Sequence, residues 1–191
     1  MGRQAGFVHE DAVRSARDVF WHEGFDGASL AALQRATGLN ASSLYHAFGS
    51  KRGLFDAAVE DYLEHVVRPG LVGFQVEHVA PGALEAYFRS AREILADPSG
   101  RAVPDGCLLV NTACSGLARD DGIAEAVRAY RAELLAAFFR GAAARYPDRP
   151  ADEQLRLAET CVALLVSALV MTRVDTRSAL AALDAALSYL D

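Results

Sequence analysis

The sequence predicts an all-α protein of about nine helices. Three observations carry this expectation. Alanine is abundant, no stretch alternates apolar and polar residues with the period of a strand, and apolar residues recur at helical spacing along most of the 191 residues. Apolar residues make up 52% of the chain, ample for a core, so disorder is not expected. At this length the chain fits one domain, or a small domain fused to a larger one.

Each helix has its own start or stop signal. Val13, Ala16 and Phe20 repeat at i, i+3 and i+7 and mark an amphipathic first helix over roughly residues 9–23, which Gly24 ends. Ser29 is a good N-cap for a second helix, Leu30 to Ala36. "TGLN" follows as a short turn in which Gly38 is free to be left-handed. Asn40 caps a short third helix through about Ala47. A fourth begins near Lys51 and runs toward Val67, where Arg68-Pro69-Gly70 stops it. Five more are expected over roughly 82–97, 106–118, 121–145, 152–173 and 177–190. Turn chemistry at "DPSG", "RAVPDG", "ARDDG" and "YPDRP" separates them. The tight Gly-containing turn between the second and third helices makes residues 1–50 a helix-turn-helix arrangement of three helices, and residues 51–191 a second, helical domain.

Composition argues against several function classes. No leading apolar run looks like a signal peptide. The longest apolar run, "CVALLVSALVM" (Cys161 to Met171), falls short of the ~20 residues that a bilayer span needs and reads as a buried core helix. A cytoplasmic protein is expected. Three cysteines, an odd number, do not make a disulfide framework. The histidines (His9, His22, His46, His65, His78) have no metal-ligand spacing, and the cysteines form no zinc pattern. There is no Gly-rich phosphate loop and no nucleophile elbow. No enzyme activity, no metal and no cofactor are expected.

Net charge is -6, unlike a generic nucleic-acid binder, but it is unevenly spread. Residues 1–55 hold six Lys/Arg and five Asp/Glu, a net of +1, and the remainder holds thirteen and twenty, a net of -7. A near-neutral head on an acidic body can touch DNA only through a small local patch. "LNASSLYHAFGSKRGLF" (Leu39 to Phe55) supplies one. Ala41, Ser42 and Ser43 allow close backbone approach, and a serine hydroxyl serves donor or acceptor base edges. His46 lies one turn beyond Ser42 and Ser43. Tyr45 and Lys51, the chain's single lysine, suit phosphate oxygens. Ser29, at a helix N-terminus, offers a hydroxyl and backbone N–H groups to another phosphate. A solvated helix inside an ordinary bundle is the plainer reading of the same residues.

The run from Val13 to Tyr62, "AVRSARDVFWHEGFDGASLAALQRATGLNASSLYHAFGSKRGLFDAAVEDY" (its first Ala is Ala12), resembles the TetR family of bacterial transcriptional repressors. "VFWHEGFDGAS", "ALQRATGL" and "SSLYHAFGSKRGLFDAAV" follow that family's DNA-binding pattern, and together they are specific. The resemblance implies a helix-turn-helix DNA-binding domain over 1–50 and a helical ligand-binding and dimerisation domain over 51–191. The third helix would be the recognition helix, and Ser29, Tyr45 and Lys51 would contact phosphate. Ala41 and Ser42 are shorter than the polar residues often found there, so DNA shape would carry more of the specificity. The implied function is a ligand-responsive repressor released from a palindromic operator by a small molecule. "GCLLVNTACS" (Gly106 to Ser115) resembles the sixth-helix segment of a group in which some members sense electrophiles or oxidants with a cysteine near this position. An oxidant- or electrophile-sensing repressor using Cys107 is therefore the alternative.

One recognition helix is too small for tight specific binding; two, about 34–36 Å apart, read a palindrome. Leu155, Ala158, Val162, Leu165 and Leu169 form one apolar stripe, and Leu180, Leu183, Leu187 and Leu190 form another. The family solution is a homodimer through helices eight and nine; packing inside one subunit is the alternative. Helices four to eight would enclose the effector. Its candidate walls are Tyr87, Phe138 and a sixth-helix face bearing Cys107, Val110, Asn111 and Cys114. Cys107 and Cys114 lie ~10.5 Å apart along such a helix, too far for a disulfide within one subunit.

Overall fold

The structure is a computed structural model that describes residues 2–97 and 105–190, with side chains from residue 9 onward. All regular structure among the described residues is helical. The α-helices are α1 (Gly2–Gly27), α2 (Leu30–Thr37), α3 (Ala41–Phe48), α4 (Lys51–Tyr62), α5 (Ala83–Ala96), α6 (Leu108–Ala113), α7 (Asp121–Arg145), α8 (Ala151–Met171) and α9 (Thr176–Leu190). After α4 the backbone continues as a π-helical turn, Leu63–Val67, then one α turn, Arg68–Leu71, and a 3₁₀ turn, Val72–Phe74. A second 3₁₀ turn, Gly116–Arg119, precedes α7. The expected breaks at "DPSG" and "RAVPDG" lie mostly outside the described residues.

Contacts divide the chain into two compact units, Met1–Val67 and Arg68–Asp191. The boundary falls at Val67, not at residue 50, because α4 belongs to the first unit. Its Leu54, Phe55, Ala58, Val59 and Tyr62 are buried, and α4 packs along α1. The Phe20 and Phe55 rings meet edge to face at 5.1 Å, and Trp21 meets Tyr62 at 5.0 Å. Farther along the same seam the Arg17 guanidinium pairs with Asp61 at 2.8 Å, both side chains nearly out of solvent. Asp61 also accepts from His65 Nδ1 at 3.0 Å. Gly24 (φ 72, ψ 170) interrupts α1 as expected, but helical turns resume beyond it to Gly27.

In the second unit α8 packs between α7 and α9. It is the one described helix long and apolar enough to cross a membrane by length and composition alone. Its buried face joins the core instead, through Leu157, Ala158, Cys161, Val162, Leu165 and Ala168. Gln154, buried at its first turn, donates to the Tyr146 and Arg149 carbonyls at 2.9 and 3.0 Å and so fastens the α7–α8 loop. Arg145 Nε and the Tyr146 hydroxyl both donate to the Leu190 carbonyl at 2.7 Å, closing the end of α9. The core holds an aromatic cluster of Phe74, Tyr87, Phe88 and Phe138, with ring centroids 5.0–6.0 Å apart.

The sixth helix departs most from expectation. It spans Leu108–Ala113, not 106–118. Cys107 has extended backbone (φ -115, ψ 128) and caps its start, while Cys114 is the residue that ends it. A Cβ at Gly106 (φ 72) would overlap the Leu169 carbonyl oxygen, so backbone approaches backbone here at a distance only glycine allows. Gly106→Ala is therefore expected to lose about 2–4 kcal/mol of stability by overpacking and left-handed strain. Gly116→Ala, which faces open space, is expected to change stability by under about 0.5 kcal/mol. Urea unfolding of both variants reads the difference.

The three thiols differ as sharply. Cys114 is exposed, and Cys107 and Cys161 are buried. Burial pushes the Cys161 thiol up to about 12. At pH 8 the native protein is expected to take one equivalent of iodoacetamide, at Cys114, within the time that denatured protein takes three. Peptide mass spectrometry assigns the labelled residue.

Candidate functional site

Three side-chain caps build the helix-turn-helix. Ser29 Oγ accepts the Ala32 N–H at 3.1 Å and starts α2. Asn40 Oδ1 accepts the Ser43 N–H at 2.9 Å and starts α3. Ser50 Oγ accepts the Gly53 N–H at 3.0 Å and starts α4. Each satisfies a donor that the first helical turn leaves without a partner, a contribution of about 1 kcal/mol. Between α2 and α3, Gly38 is left-handed (φ 68) and its N–H returns to the Gln34 carbonyl. Thr37 Oγ1 donates to the Leu33 carbonyl and accepts the Leu39 N–H, which holds the turn's backbone in place.

This frame fixes which side chains face solvent. Leu44 is buried and ties α3 to the core. Phe48 is half-buried and lies against His9, ring centroids 4.7 Å apart. Ser42, Tyr45 and His46 are exposed on α3, as is Ser29 at the start of α2. Ala41 and Ser43 are half-buried in the first turn of α3. Lys51, half-buried at the first position of α4, places its ammonium 4.6 Å from the centre of the Phe25 ring. Its neighbour Arg52 is held by Asp56, Nε to Oδ1 at 2.7 Å. The surface thus combines hydroxyls, an imidazole, a phenol and a cation with the N-terminal ends of short helices. That chemistry suits phosphate oxygens and base edges.

Sequence reasoning passed over Gly53. A Cβ there would overlap the Phe48 carbonyl oxygen, so the end of α3 and the first turn of α4 come together only because residue 53 is glycine. The signal was present: a glycine in a first helical turn costs about 1 kcal/mol against alanine and calls for a packing reason.

The expected effector face is divided. Tyr87 and Phe138 meet at 5.0 Å, interplanar angle 65°. Burial, with a smaller push from Cys107, raises the Tyr87 phenol well above its ordinary value. Cys107 lies in the core and its Sγ donates to the Tyr130 hydroxyl at 3.6 Å; Val110 is buried as well. Asn111 does not share a helical face with Cys107 and Cys114. Cys107 precedes the helix, Cys114 ends it in solvent, and Asn111 Nδ2 donates to the Asp105 carbonyl at 2.6 Å. A buried thiol hydrogen-bonded to a phenol is out of an oxidant's reach, which disfavours Cys107 as a sensor.

The expected dimer stripe is divided too. Val162, Leu165 and Leu183 are buried in the chain's own core. Leu155 is 40% exposed, and Leu169, Leu180 and Leu187 are half-buried. Val170 and Tyr189 are further exposed apolar groups on α8 and α9.

A sequence model of the bacterial regulatory proteins of the TetR family matches residues 12–58. The repressor ComR of Escherichia coli (strain K12) is 32% identical over 122 residues, 63% of this chain and 56% of ComR, so the chain spans little more than half the length of that relative. YezE of Bacillus subtilis (strain 168), an HTH-type transcriptional regulator, is 30% identical over 141 residues, 74% of this chain and 71% of YezE. Among solved structures, a cysteine mutant of the TetR-family regulator CifR, complexed with 26-bp double-strand operator DNA, is 32% identical with a TM-score of 0.76. The match covers 94% of this chain and 95% of CifR. Motif, capped helix-turn-helix and full-length likeness agree: the chain belongs to the TetR family of transcriptional regulators.

Proposed function

We propose that the protein is a DNA-binding repressor that grips a palindromic operator as a homodimer and is released by a small molecule. The observation that carries this reading is the face of α3. Leu44 holds the helix to the core while Ser42, Tyr45 and His46 stand in solvent, flanked in sequence by Ser29 and Lys51 at the starts of α2 and α4. The CifR relative, similar over nearly its whole length, was solved on operator DNA, which supports the same role here. With Ala41 and short serines at the front of α3, DNA shape carries much of the sequence preference.

The exposed apolar groups of α8 and α9, Leu155, Val170 and Tyr189, supply the dimer contact together with Leu169, Leu180 and Leu187. A small molecule acts on the second unit near Tyr87 and Phe138. It releases DNA only if it binds the DNA-free state more tightly, by a factor that equals the drop in operator affinity.

Selection from random duplexes is expected to recover a palindrome whose binding weakens steeply with salt. Tyr45→Ala and Lys51→Ala each weaken it, and Lys51→Ala, which removes one phosphate contact from each subunit of the dimer, also lowers the slope of log affinity against log salt by about 2. A folded dimer that enriches no sequence at low salt, even after refolding to strip bound ligand, contradicts the reading. Gly53→Ala is expected to cost about 1–3 kcal/mol of stability. It should also weaken operator binding beyond the loss of folded protein, because relief of the clash must move α3 or α4. Circular dichroism melting and fluorescence anisotropy on one preparation separate the two effects.

A further inference from the structure

Lys51 sits where a helix least favours a cation. It occupies the first position of α4, next to the N-cap, and no acid stands in that turn to offset the positive end of the helix. Arg52 beside it has Asp56. Lys51 has no ion-pair partner among the described residues, and the contact its ammonium makes is the Phe25 ring. That ring is itself fixed by two other aromatic rings. It stacks on Phe20 at 6.1 Å, interplanar angle 13°, and meets Phe55 edge to face at 5.3 Å. Phe20 and Phe55 are completely buried. Gly24, in a backbone conformation that other residues rarely adopt, breaks α1 one residue before the ring.

We propose that Phe25 is a positioning residue for DNA binding: its ring face holds the Lys51 ammonium in place for a phosphate. The proposal rests on the reading of Lys51 as a phosphate contact. A carboxylate in the same place would neutralise the charge and compete with the phosphate. An aromatic face attracts the cation through its quadrupole and leaves the charge whole. A free lysine side chain also loses much rotamer entropy when it docks. The ring takes part of that loss in the folded protein, before DNA arrives, and operator affinity gains by it.

A double-mutant cycle on the operator selected by the protein tests this. Phe25→Leu keeps an apolar side chain against Phe20 and Phe55 but removes the ring. It is expected to weaken binding about five- to thirty-fold, the size of two exposed cation–π contacts, one in each subunit of the dimer. In a Lys51→Met background the same substitution is expected to change nothing, and Phe25→Tyr is expected to keep wild-type affinity. An equal loss in both backgrounds marks Phe25 as a structural residue and overturns the proposal. If Lys51→Met leaves affinity and salt slope unchanged while the protein still binds its operator, the phosphate contact is wrong and the proposal falls with it, the repressor reading standing. A measurement without DNA covers the case in which Phe25→Leu fails to fold. The one lysine gives one εCH₂ signal by ¹H–¹³C NMR, expected upfield from the ring current and to stay so in Phe25→Tyr. A wild-type signal at the position of an unstructured lysine overturns the proposal.

Discussion

The packing of α4 on α1 is the constraint on which the N-terminal unit depends. Phe20 and Phe55 meet edge to face at its centre, both wholly out of water. The Arg17–Asp61 pair closes the far end of the seam. With α4 held there, its first turn is fixed, and Gly53 lets the end of α3 come against it. The orientation of α3, a helix far too short to be stable alone, thus follows from an interface in which it takes no part. A three-helix description that stops at residue 50 omits the element that holds the other three.

Much of the head was legible because its signals are local. Ser29, Asn40 and Gly38 each act within four residues of themselves, so cap chemistry alone placed α2, the turn and α3 within a residue. The boundary at Val67 was not legible. Leu54, Phe55, Ala58, Val59 and Tyr62 declare an apolar face on α4, but periodicity does not name the surface that the face will meet. The stripes on α8 and α9 posed the same question with two answers. Val162, Leu165 and Leu183 go to the chain's own core, while Leu155 stays at the surface. Leu and Val at helical spacing look alike in both roles.

The sixth helix was misread for a different reason. Spacing of i, i+4 and i+7 groups Cys107, Asn111 and Cys114 only if the helix runs through all three. The chain leaves helical geometry at both cysteines, and the close passage of Gly106 beside the Leu169 carbonyl fixes where the helix can begin. That constraint is a contact between residues 106 and 169, 63 positions apart along the chain and invisible to any local pattern. It also decides the chemistry: it sends Cys107 inward beside Tyr130 and leaves Cys114 in water.

The π turn at Leu63–Val67 holds one residue more than an α-helix would use over the same rise. In an α-helix each residue advances the chain by ~100° about the axis. A π turn takes up its extra residue as a local bulge, so removing one residue from this stretch would restore plain α winding and leave its flanking turns in register. Removing one from the middle of α4 would instead turn the residues after it by that angle and carry Ala58, Val59 and Tyr62 off their buried face. The π turn is thus a stretch that can lose a residue at little cost, and α4 is not.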